Sequence, residues 1–233
     1  MVEATSLLDR RLYGLAQVDR LLTLNTGTAR RWIQGYDRGG KEYPPVVRPE
    51  RNDDDIVTWG EFVETRLLAE YRGAGVPMVR MRPAIMRLRE TLETRFPLAT
   101  AHPFLDVAGR ELVLRIQNEV DLERSLQLVV VRNGQVVLTD QAEEFVRSVD
   151  YGDGGAIATS IRPLSGASEV VVDPLRQFGQ PVVRSVPTEV IAELVRAGDR
   201  IQMIAELYDL TTDEVEAAVR FELVRTSGSD KAA

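Results

Sequence analysis

The sequence contains no cysteine and only one histidine, His102. Because there is no thiol, disulfides, thiolate zinc sites and thiol redox switches are excluded. A single histidine argues against histidine-rich metal sites and histidine-based catalytic triads, and we interpret His102 as a structural residue. No nucleophile stands in a recognisable pattern with a base, so the sequence predicts neither an enzyme nor a bound cofactor or metal.

Long apolar runs are also missing. No segment approaches the roughly 18 consecutive apolar residues of a membrane span, and residues 1–5 lack the basic-then-apolar order of a secretory signal. The hydrophobic content of 44% is enough for ordinary cores. We therefore expect a soluble, cytoplasmic, folded protein with no membrane partner.

Acidic residues outnumber basic ones, with 36 Asp and Glu against 29 Arg and Lys and a net charge of −7. Charge is also unevenly distributed. Residues 1–100 contain 16 Arg and Lys against 14 Asp and Glu, whereas residues 101–233 contain 13 against 22. This asymmetry fits a DNA-contacting N-terminal part and a protein-contacting C-terminal part, although ordinary scatter also gives so small a positive balance.

The apolar pattern changes along the chain and predicts an α+β fold. It is helical over residues 13–95, apart from a Gly, Pro and charged stretch at 37–55. Two β-branched runs flank Asn133-Gly134, a pair typical of a tight β-hairpin. The remaining predicted elements are a helix at 141–149, a loop at 151–155, strands at 157–161 and 169–172, and helices between 187 and 223.

These changes divide the chain into predicted segments. They are a winged helix-turn-helix DNA-binding domain at 1–95, a middle α+β domain with the hairpin at 96–171, a three-helix domain at 172–224 and a flexible tail at 225–233. We interpret Trp32 and Trp59 as core residues and the acidic run at 53–55 as a solvated turn.

A helix-turn-helix is predicted near the N-terminus. Its first helix covers residues 13–22 and its second covers 27–34, with Asn25 or Thr26 as the N-cap of the second. A glycine-hinged basic stretch at 38–45 is typical of a wing that touches the DNA backbone. The candidate DNA contacts are Thr26, Thr28, Arg30, Arg31, Gln34, Arg38 and Lys41.

Two further helices follow the predicted wing. Thr58 is the predicted N-cap of the first, which Gly and Pro residues break at 73–77, and a longer helix then runs to about residue 95. Its predicted inward residues are Val79, Ile85, Leu88 and Leu92.

The sequence over residues 11–95 resembles the DNA-binding domain of MerR-type regulators. The resemblance lies in the order YGLAQVDRLL, ARRWIQGY, wing and VTWGEFVETRLLAEYRGAGVP. No long dimerisation coiled coil and no metal-sensing cysteine follow, which disfavours a metal- or thiol-responsive activator. A helical module that binds only protein is the alternative.

Three helices are predicted at the C-terminal end. They cover 189–196, closed by Gly198, then 201–208, and a third helix that starts after Thr211 or Thr212. The predicted buried residues of the third helix are Val215, Ala218, Val219 and Leu223.

Within residues 172–224, the string DPLRQFGQPVVRSVPTEVIAELVRAGDRIQMIAELYDLTTDEVEAAVRFEL resembles a bacterial family long labelled a domain of unknown function. Its members share Gly-(Lys/Arg/Gln)-Pro-(Val/Ile)-(Val/Ile), a Gly that closes the first helix, and Leu-Thr-x-(Glu/Asp)-x-Val-x-x-Ala. All three are present here in order. Members are commonly assigned as antitoxins paired with PIN-type ribonuclease toxins. With a MerR-like part in front, the chain is similar to VapB-type antitoxins of VapBC pairs.

The resemblance implies an antitoxin that neutralises a PIN-type ribonuclease and binds operator DNA to regulate its own operon, as a homodimer or larger assembly. The third C-terminal helix has four acids against Arg220, which would repel phosphates, so we assign it to protein contacts. Neutralisation could use an arginine that competes with the toxin's metal or an acidic helix that fills its RNA groove, and both stay open. The candidate toxin or dimer contacts are Arg176, Phe178, Arg184, Asp213, Glu214 and Glu216.

Two other functions fit the same sequence. One is a stand-alone MerR-like transcription regulator whose middle segment, about 97–170, senses a small ligand. The other is an adaptor with no DNA role. A short ribonuclease gene beside this one would favour the antitoxin.

Overall fold

The computed structural model describes residues 7–152, 156–164 and 168–227. Its helices are α1 Leu15–Leu21, α2 Thr28–Gln34, α3 Trp59–Glu70, α4 Arg82–Thr91, α5 His102–Leu105, α6 Val107–Glu119, α7 Asp140–Ser148, α8 Thr188–Ala197, α9 Ile201–Tyr208 and α10 Thr212–Ser227. Its strands are β1 Arg11–Gly14, β2 Tyr36–Arg38, β3 Lys41–Tyr43, β4 Ile56–Thr58, β5 Val129–Arg132, β6 Gln135–Leu138, β7 Val149–Tyr151, β8 Ala158–Ile161, β9 Val170–Val172, β10 Pro181–Val183 and β11 Val186–Pro187. This mixture confirms the predicted α+β fold.

The N-terminal elements form a winged helix-turn-helix, as predicted. Strand β1 pairs antiparallel with β4, with Gly14 opposite Ile56 and Arg11 opposite Thr58, so α1 and α3 start from opposite ends of this two-stranded sheet. Helices α1 and α2 and the β2–β3 hairpin lie between these strands in the sequence. Tyr13 and Val57, which are register partners in the two strands, are fully buried and anchor the unit to the core.

Helix α3 is the central helix, because every residue from Trp59 to Ala69 is buried. It begins at Thr58 with a reciprocal capping box. The hydroxyl of Thr58 accepts from the Glu61 amide at 3.4 Å, and the Glu61 carboxylate accepts from the Thr58 amide at 2.8 Å. The predicted cap and the core position of Trp59 are therefore confirmed, whereas Trp32 is only half-buried.

The predicted long helix up to residue 95 is wrong in its extent. A short 3-10 turn at Met78–Met81 precedes α4, which ends at Thr91. Pro83 lies in the first turn of α4, where its missing N–H costs nothing, so the helix starts there rather than continuing from the turn. Ile85 and Leu88 are buried as predicted, while the predicted inward residues Val79 and Leu92 are half-buried.

The β5–β6 hairpin confirms the prediction from Asn133-Gly134. Both turn residues have positive φ, 51° and 76°, as a two-residue hairpin turn of this kind requires. Helix α6, which the sequence pattern did not predict, supports the hairpin through Gln117. The buried Gln117 amide donates to the Val129 carbonyl at 2.6 Å and accepts from the Leu128 amide at 3.2 Å.

Within the described residues, a five-stranded antiparallel sheet has the order β11-β10-β9-β8-β7. Strands β8 and β9 confirm the two strand predictions. The predicted segment boundary at 171/172 falls within β9, so the sheet joins strands from both sides of it. Of the predicted loop at 151–155, Tyr151 instead ends β7, and residues 153–155 lie outside the described residues.

The C-terminal helices follow the prediction closely. Gly198 closes α8 with φ 100°, and α9 has the predicted bounds. Helix α10 continues to Ser227, beyond the predicted start of the tail at 225, and residues 228–233 lie outside the described residues. The predicted burial of Leu223 is wrong, because its side chain is 60% exposed and Phe221 is buried in its place.

One hydrophobic core runs through the three predicted domains, with large buried side chains contributed by α3, α5, α7 and α10. A hydrogen bond of 2.8 Å from the Trp59 indole to the Ala158 carbonyl connects α3 to β8. No helix in the described parts of the chain is long and apolar enough to cross a membrane.

Candidate nucleic-acid interface

The angle between the two helices of the helix-turn-helix is fixed by Asp19 of α1. Its carboxylate accepts hydrogen bonds of 2.7 Å from the backbone amides of Gly27 and Ala29, at the start of α2. The predicted N-cap at Asn25 or Thr26 is therefore wrong. Gly27 occupies the cap position with φ 80°, and a carboxylate from the preceding helix replaces the side-chain cap. Burial raises the pKa of Asp19, and the two backbone hydrogen bonds oppose that effect.

Helix α2 presents two arginines to solvent. Arg30 and Arg31 are exposed, and the guanidinium of Arg31 donates to the Thr28 hydroxyl at 2.9 Å. Thr28 is itself buried, while Thr26 is exposed in the preceding turn. The structure therefore brings both arginines to the outer surface of the predicted recognition helix.

Arg30, Gln34 and Asp55 form a closed hydrogen-bonded triangle. The Arg30 guanidinium donates to the Gln34 side-chain oxygen at 2.9 Å and to Asp55 at 3.1 Å. The Gln34 side-chain nitrogen donates to the same Asp55 carboxylate at 2.9 Å. Gln34 is buried against the loop before β4. The hydrogen bonds that the Asp55 carboxylate accepts from Gln34 and Arg30 hold its pKa below the usual range.

The acidic run at 53–55 lies at the surface, as interpreted, but two of its members are also held by ion pairs, with the side chains of Asp54 and Asp55 36% and 59% exposed. Asp54 forms a bidentate ion pair with Arg11, which lowers the pKa of the carboxyl. The buried Arg48 pairs with Glu61 at 2.8 Å and donates to the Asp54 carbonyl at 2.7 Å. Among the described residues, no group of three or more acids and histidines is placed to hold a metal ion.

The β2–β3 hairpin is the predicted wing. Gly39 and Gly40 turn with φ values of 60° and 74°, and Arg38 pairs with Lys41 across the turn. Both basic side chains are exposed. At the base of the hairpin, the rings of Tyr36 and Tyr43 stack with centroids 4.6 Å apart, which stiffens it.

This arrangement suits nucleic acid better than a small reactive substrate. An arginine-bearing helix flanked by a basic hairpin can place side chains on base edges and on phosphates at once. Acidic side chains also lie beside this basic surface, and they are ion-paired within the chain. Asp37 on the hairpin pairs with Arg51 at 2.7 Å, and Asp55 pairs with Arg30. The sequence reasoning missed Asp19 and Asp55, whose roles depend on partners in other elements.

Two of the predicted toxin or dimer contacts bind each other. Arg184 donates to Glu214 at 2.8 Å and to the Asp209 carbonyl at 3.0 Å. Glu214 also accepts from the Thr211 amide at 2.7 Å, which caps α10 and lowers the pKa of the carboxyl. The two other predicted acids, Asp213 and Glu216, are exposed on α10.

The loop between β9 and β10 carries the most exposed large apolar side chain of the described residues. Phe178 is 84% exposed and has φ 55°, and Leu175 in the same loop is 54% exposed. Arg176 lies between them in sequence, with its guanidinium 3.2 Å from Asp173. Phe178 and Arg176 were predicted contacts, whereas Leu175 was missed. We call residues 173–180 the apolar loop.

Comparisons with known proteins match both ends of the chain. Residues 11–85 match the family described as "putative DNA-binding HTH domain". Residues 170–221 match the family described as "protein of unknown function (DUF433)". The first match contains α1, α2 and the wing, and the second contains the apolar loop and most of α8–α10.

Full-length relatives are found in Mycobacterium tuberculosis. "Uncharacterized protein Rv2308" is 39% identical over 225 residues, covering 94% of this chain and 93% of its own length. "Putative antitoxin VapB45" is 31% identical over 232 residues, covering 91% and 93%. The crystal structure of Rv2018 from the same organism matches with a TM-score of 0.73 and 28% identity, covering 91% of this chain and 99% of that one. The chain therefore belongs to the protein family that includes Rv2308 and the putative antitoxin VapB45 of Mycobacterium tuberculosis.

Proposed function

We propose that this protein is a DNA-binding antitoxin of the VapB type, a regulator rather than an enzyme. In this proposal it binds operator DNA to repress its own operon in the cytoplasm and neutralises a PIN-type ribonuclease. The observation that carries the proposal is the combination of an arginine-bearing helix and basic wing in this chain with a relative, matched over nearly its whole length, that is named a putative antitoxin. We describe the two activities separately, because they use different surfaces.

DNA binding is assigned to α2 and the wing. Arg30 and Arg31 lie on the exposed surface of α2, from which they can reach guanine edges in the major groove. Arg38 and Lys41 at the hairpin tip are suited to phosphates beside the groove. The buried Thr28 and Gln34 support these groups, and Thr26 is free to approach the backbone from the turn.

We assign two copies of the protein to each operator. A helix-turn-helix gains affinity when two readers occupy half-sites about one helical turn of DNA apart, and a symmetric homodimer supplies that geometry. The chain's net charge of −7 makes a single reader weak, because most of the molecule repels DNA. Light scattering of the DNA complex measures the number of chains directly.

Toxin neutralisation is assigned to the apolar loop. Phe178 and Leu175 expose apolar surface, and Arg176 between them offers a guanidinium to the clustered carboxylates of a metal-dependent ribonuclease. Both arginines are ion-paired within the chain, Arg176 with Asp173 and Arg184 with Glu214. Arg184 is the weaker candidate, because its guanidinium also donates to the Asp209 carbonyl. On α10, Asp213 and Glu216 are exposed and can contact a basic RNA-binding groove of the toxin. Glu214 would first have to break its ion pair with Arg184.

Point variants test the toxin assignment better than a truncation, since cutting the chain near residue 170 removes β9, β10 and β11 from the five-stranded sheet. Full-length Phe178→Asp is co-expressed with the product of the neighbouring gene. The matched control is Leu207→Asp on α9, where the wild-type side chain is 67% exposed. We expect growth to fail with Phe178→Asp and to persist with the control. Equal growth would remove the apolar loop from the toxin interface, and growth arrest with wild-type antitoxin would reject the antitoxin assignment itself.

A further inference from the structure

A cavity of about 350 Å³ lies between the helix-turn-helix and the last helix. Leu22 and Thr23, in the turn that follows α1, form one wall. Residues of the C-terminal half of α3 form the second, and Phe221 and Val224 of α10 form the third. The volume is at the lower end of the roughly 300–1,000 Å³ that is usual for small-molecule sites.

The charges around this cavity are mostly positive. Three arginines line it, Arg66, Arg72 and Arg220, against one acid, Glu70. Arg66 is buried and pairs with Glu70, so that acid is already neutralised by its neighbour in α3. Arg72 and Arg220 are exposed at the rim, one at the end of α3 and the other on α10. The cavity therefore has two cationic rim groups beyond its internal ion pair.

Arg66 contributes a buried cation to the cavity wall. Its side chain is only 3% exposed, and its Nε has no hydrogen-bond partner among the described residues. A buried guanidinium N–H without an acceptor is unusual in native proteins. Arg66 lines the cavity, so its guanidinium adds positive charge to the wall even though its Nε is covered by protein.

The inner surface of the same cavity is apolar. Leu22 and Phe221 are almost fully buried, and Ala69 is small enough to leave the space between them open. Pro163 and Leu164 add apolar surface from the segment after β8. A ligand that fills the cavity must therefore combine an apolar body with an anionic group that can reach the arginines.

We propose that this cavity binds a small amphipathic carboxylate, with its apolar body against Phe221 and Leu22 and its carboxylate toward Arg72 and Arg220. The site is separate from the exposed surface of α2 and from the apolar loop. Its wall includes Thr23, whose carbonyl accepts from Arg72 at 3.4 Å, so an occupant touches the turn between the two DNA-reading helices. Occupancy therefore stiffens this turn against α10.

The test is isothermal titration calorimetry of the full-length protein with sodium decanoate, below its micellar concentration. 1-Decanol at its solubility limit serves as a probe with the same body and no charge. We expect decanoate to bind one site per chain and decanol to bind at least tenfold more weakly. The double variant Arg72→Gln/Arg220→Gln should weaken decanoate binding by about tenfold or more. Both positions are exposed, so the fold should be retained, and circular dichroism checks this.

Arg115→Gln/Arg196→Gln is the matched control, because both arginines are exposed and neither lines the cavity. Equal affinity in wild type and the Arg72/Arg220 variant would overturn the proposal, as would absence of decanoate binding at millimolar concentration. Tighter binding of decanol than of decanoate would mean that the cavity is an apolar gap without a site for a carboxylate. The titration contains no DNA, so its outcome is independent of the proposed DNA and toxin activities.

Discussion

The hydroxyl of Tyr13 donates a hydrogen bond of 2.8 Å to the carbonyl of Gly179, which lies 166 positions later in the chain. Tyr13 belongs to the strand that precedes the helix-turn-helix, and Gly179 follows Phe178 in the apolar loop. The contact is close as well as polar, since a Cβ at Gly179 would lie 2.5 Å from the Tyr13 hydroxyl oxygen. The DNA-reading end and the loop assigned to the toxin are thus held against each other.

Removing this hydrogen bond should destabilise the protein modestly. In Tyr13→Phe the buried Gly179 carbonyl loses its donor, which typically costs about 1 kcal/mol of unfolding free energy. Gly179→Ala should cost more, because φ is 75° and the added Cβ collides with Tyr13. Urea unfolding of the full-length variants measures both. If Tyr13→Phe were the more destabilised of the two, the packing described for this contact would be wrong.

Asp55 should restrain DNA binding. Its carboxylate pairs with Arg30 at 3.1 Å, and this pair must open before Arg30 reaches a base or a phosphate. Asp55→Asn removes the ionic competitor and one negative charge beside the recognition helix, while its amide oxygen can still accept from Gln34. We expect affinity for duplex DNA to rise a few fold at low salt and less at high salt, by fluorescence anisotropy.

The control for this change is Asp53→Asn, which removes the same charge from an exposed neighbour with no bond to Arg30 among those described. An equal gain for both variants would mean that general repulsion acts, rather than the Arg30–Asp55 pair.

Glu64 should give the protein a characteristic pH dependence. It is fully buried in α3, and burial raises its pKa to about 8, although the charge of Arg89 at 3.5 Å and a hydrogen bond from the Leu98 amide act in the opposite direction. The native state therefore keeps a proton that the unfolded chain releases near its ordinary pKa of about 4.5. The stability from this group is complete below that ordinary pKa and is lost as the pH rises through about 8.

The variant Glu64→Gln isolates this effect, because the amide oxygen can still accept from the Leu98 amide. Between these two pKa values, wild type should lose unfolding free energy relative to the variant with a slope of up to about 1.4 kcal/mol per pH unit. Denaturant unfolding at a series of pH values measures the slope. For the control Glu90→Gln, on the exposed surface of α4, the unfolding free energy should change with pH as it does in wild type. A parallel curve for Glu64→Gln would mean that Glu64 is ionised in the native state.

The features that sequence analysis predicted are local. The Thr58 N-cap and the Asn133-Gly134 turn depend on residues at most three positions apart, so the pattern alone identifies them. The features that it missed join distant elements. Asp19 caps a helix eight positions ahead, and Asp55 reaches back 25 positions to Arg30. The short strands β7, β10 and β11 exist because of their neighbours in the sheet, and their own sequences carry little strand pattern.

The candidate site was predicted at the level of elements but less well at the level of side chains. The recognition helix and wing follow from helix periodicity and the paired glycines, and Arg30, Arg31, Arg38 and Lys41 are exposed as a DNA contact requires. Which face of α2 turns inward depends on the loop before β4, because Gln34 bonds to Asp54 and Asp55. That loop has no pattern that fixes its path.

The most direct test of the central claim is binding of the full-length protein to DNA from upstream of its own gene, measured by fluorescence anisotropy at fixed salt against a scrambled duplex. We predict preferential binding of the upstream DNA. Arg30→Ala/Arg31→Ala should weaken it by at least about tenfold, since one base contact contributes roughly 1–3 kcal/mol, with an unchanged unfolding transition. Arg115→Ala/Arg196→Ala should bind like wild type. Equal binding of both duplexes, or undiminished affinity of the Arg30/Arg31 variant, would contradict the account.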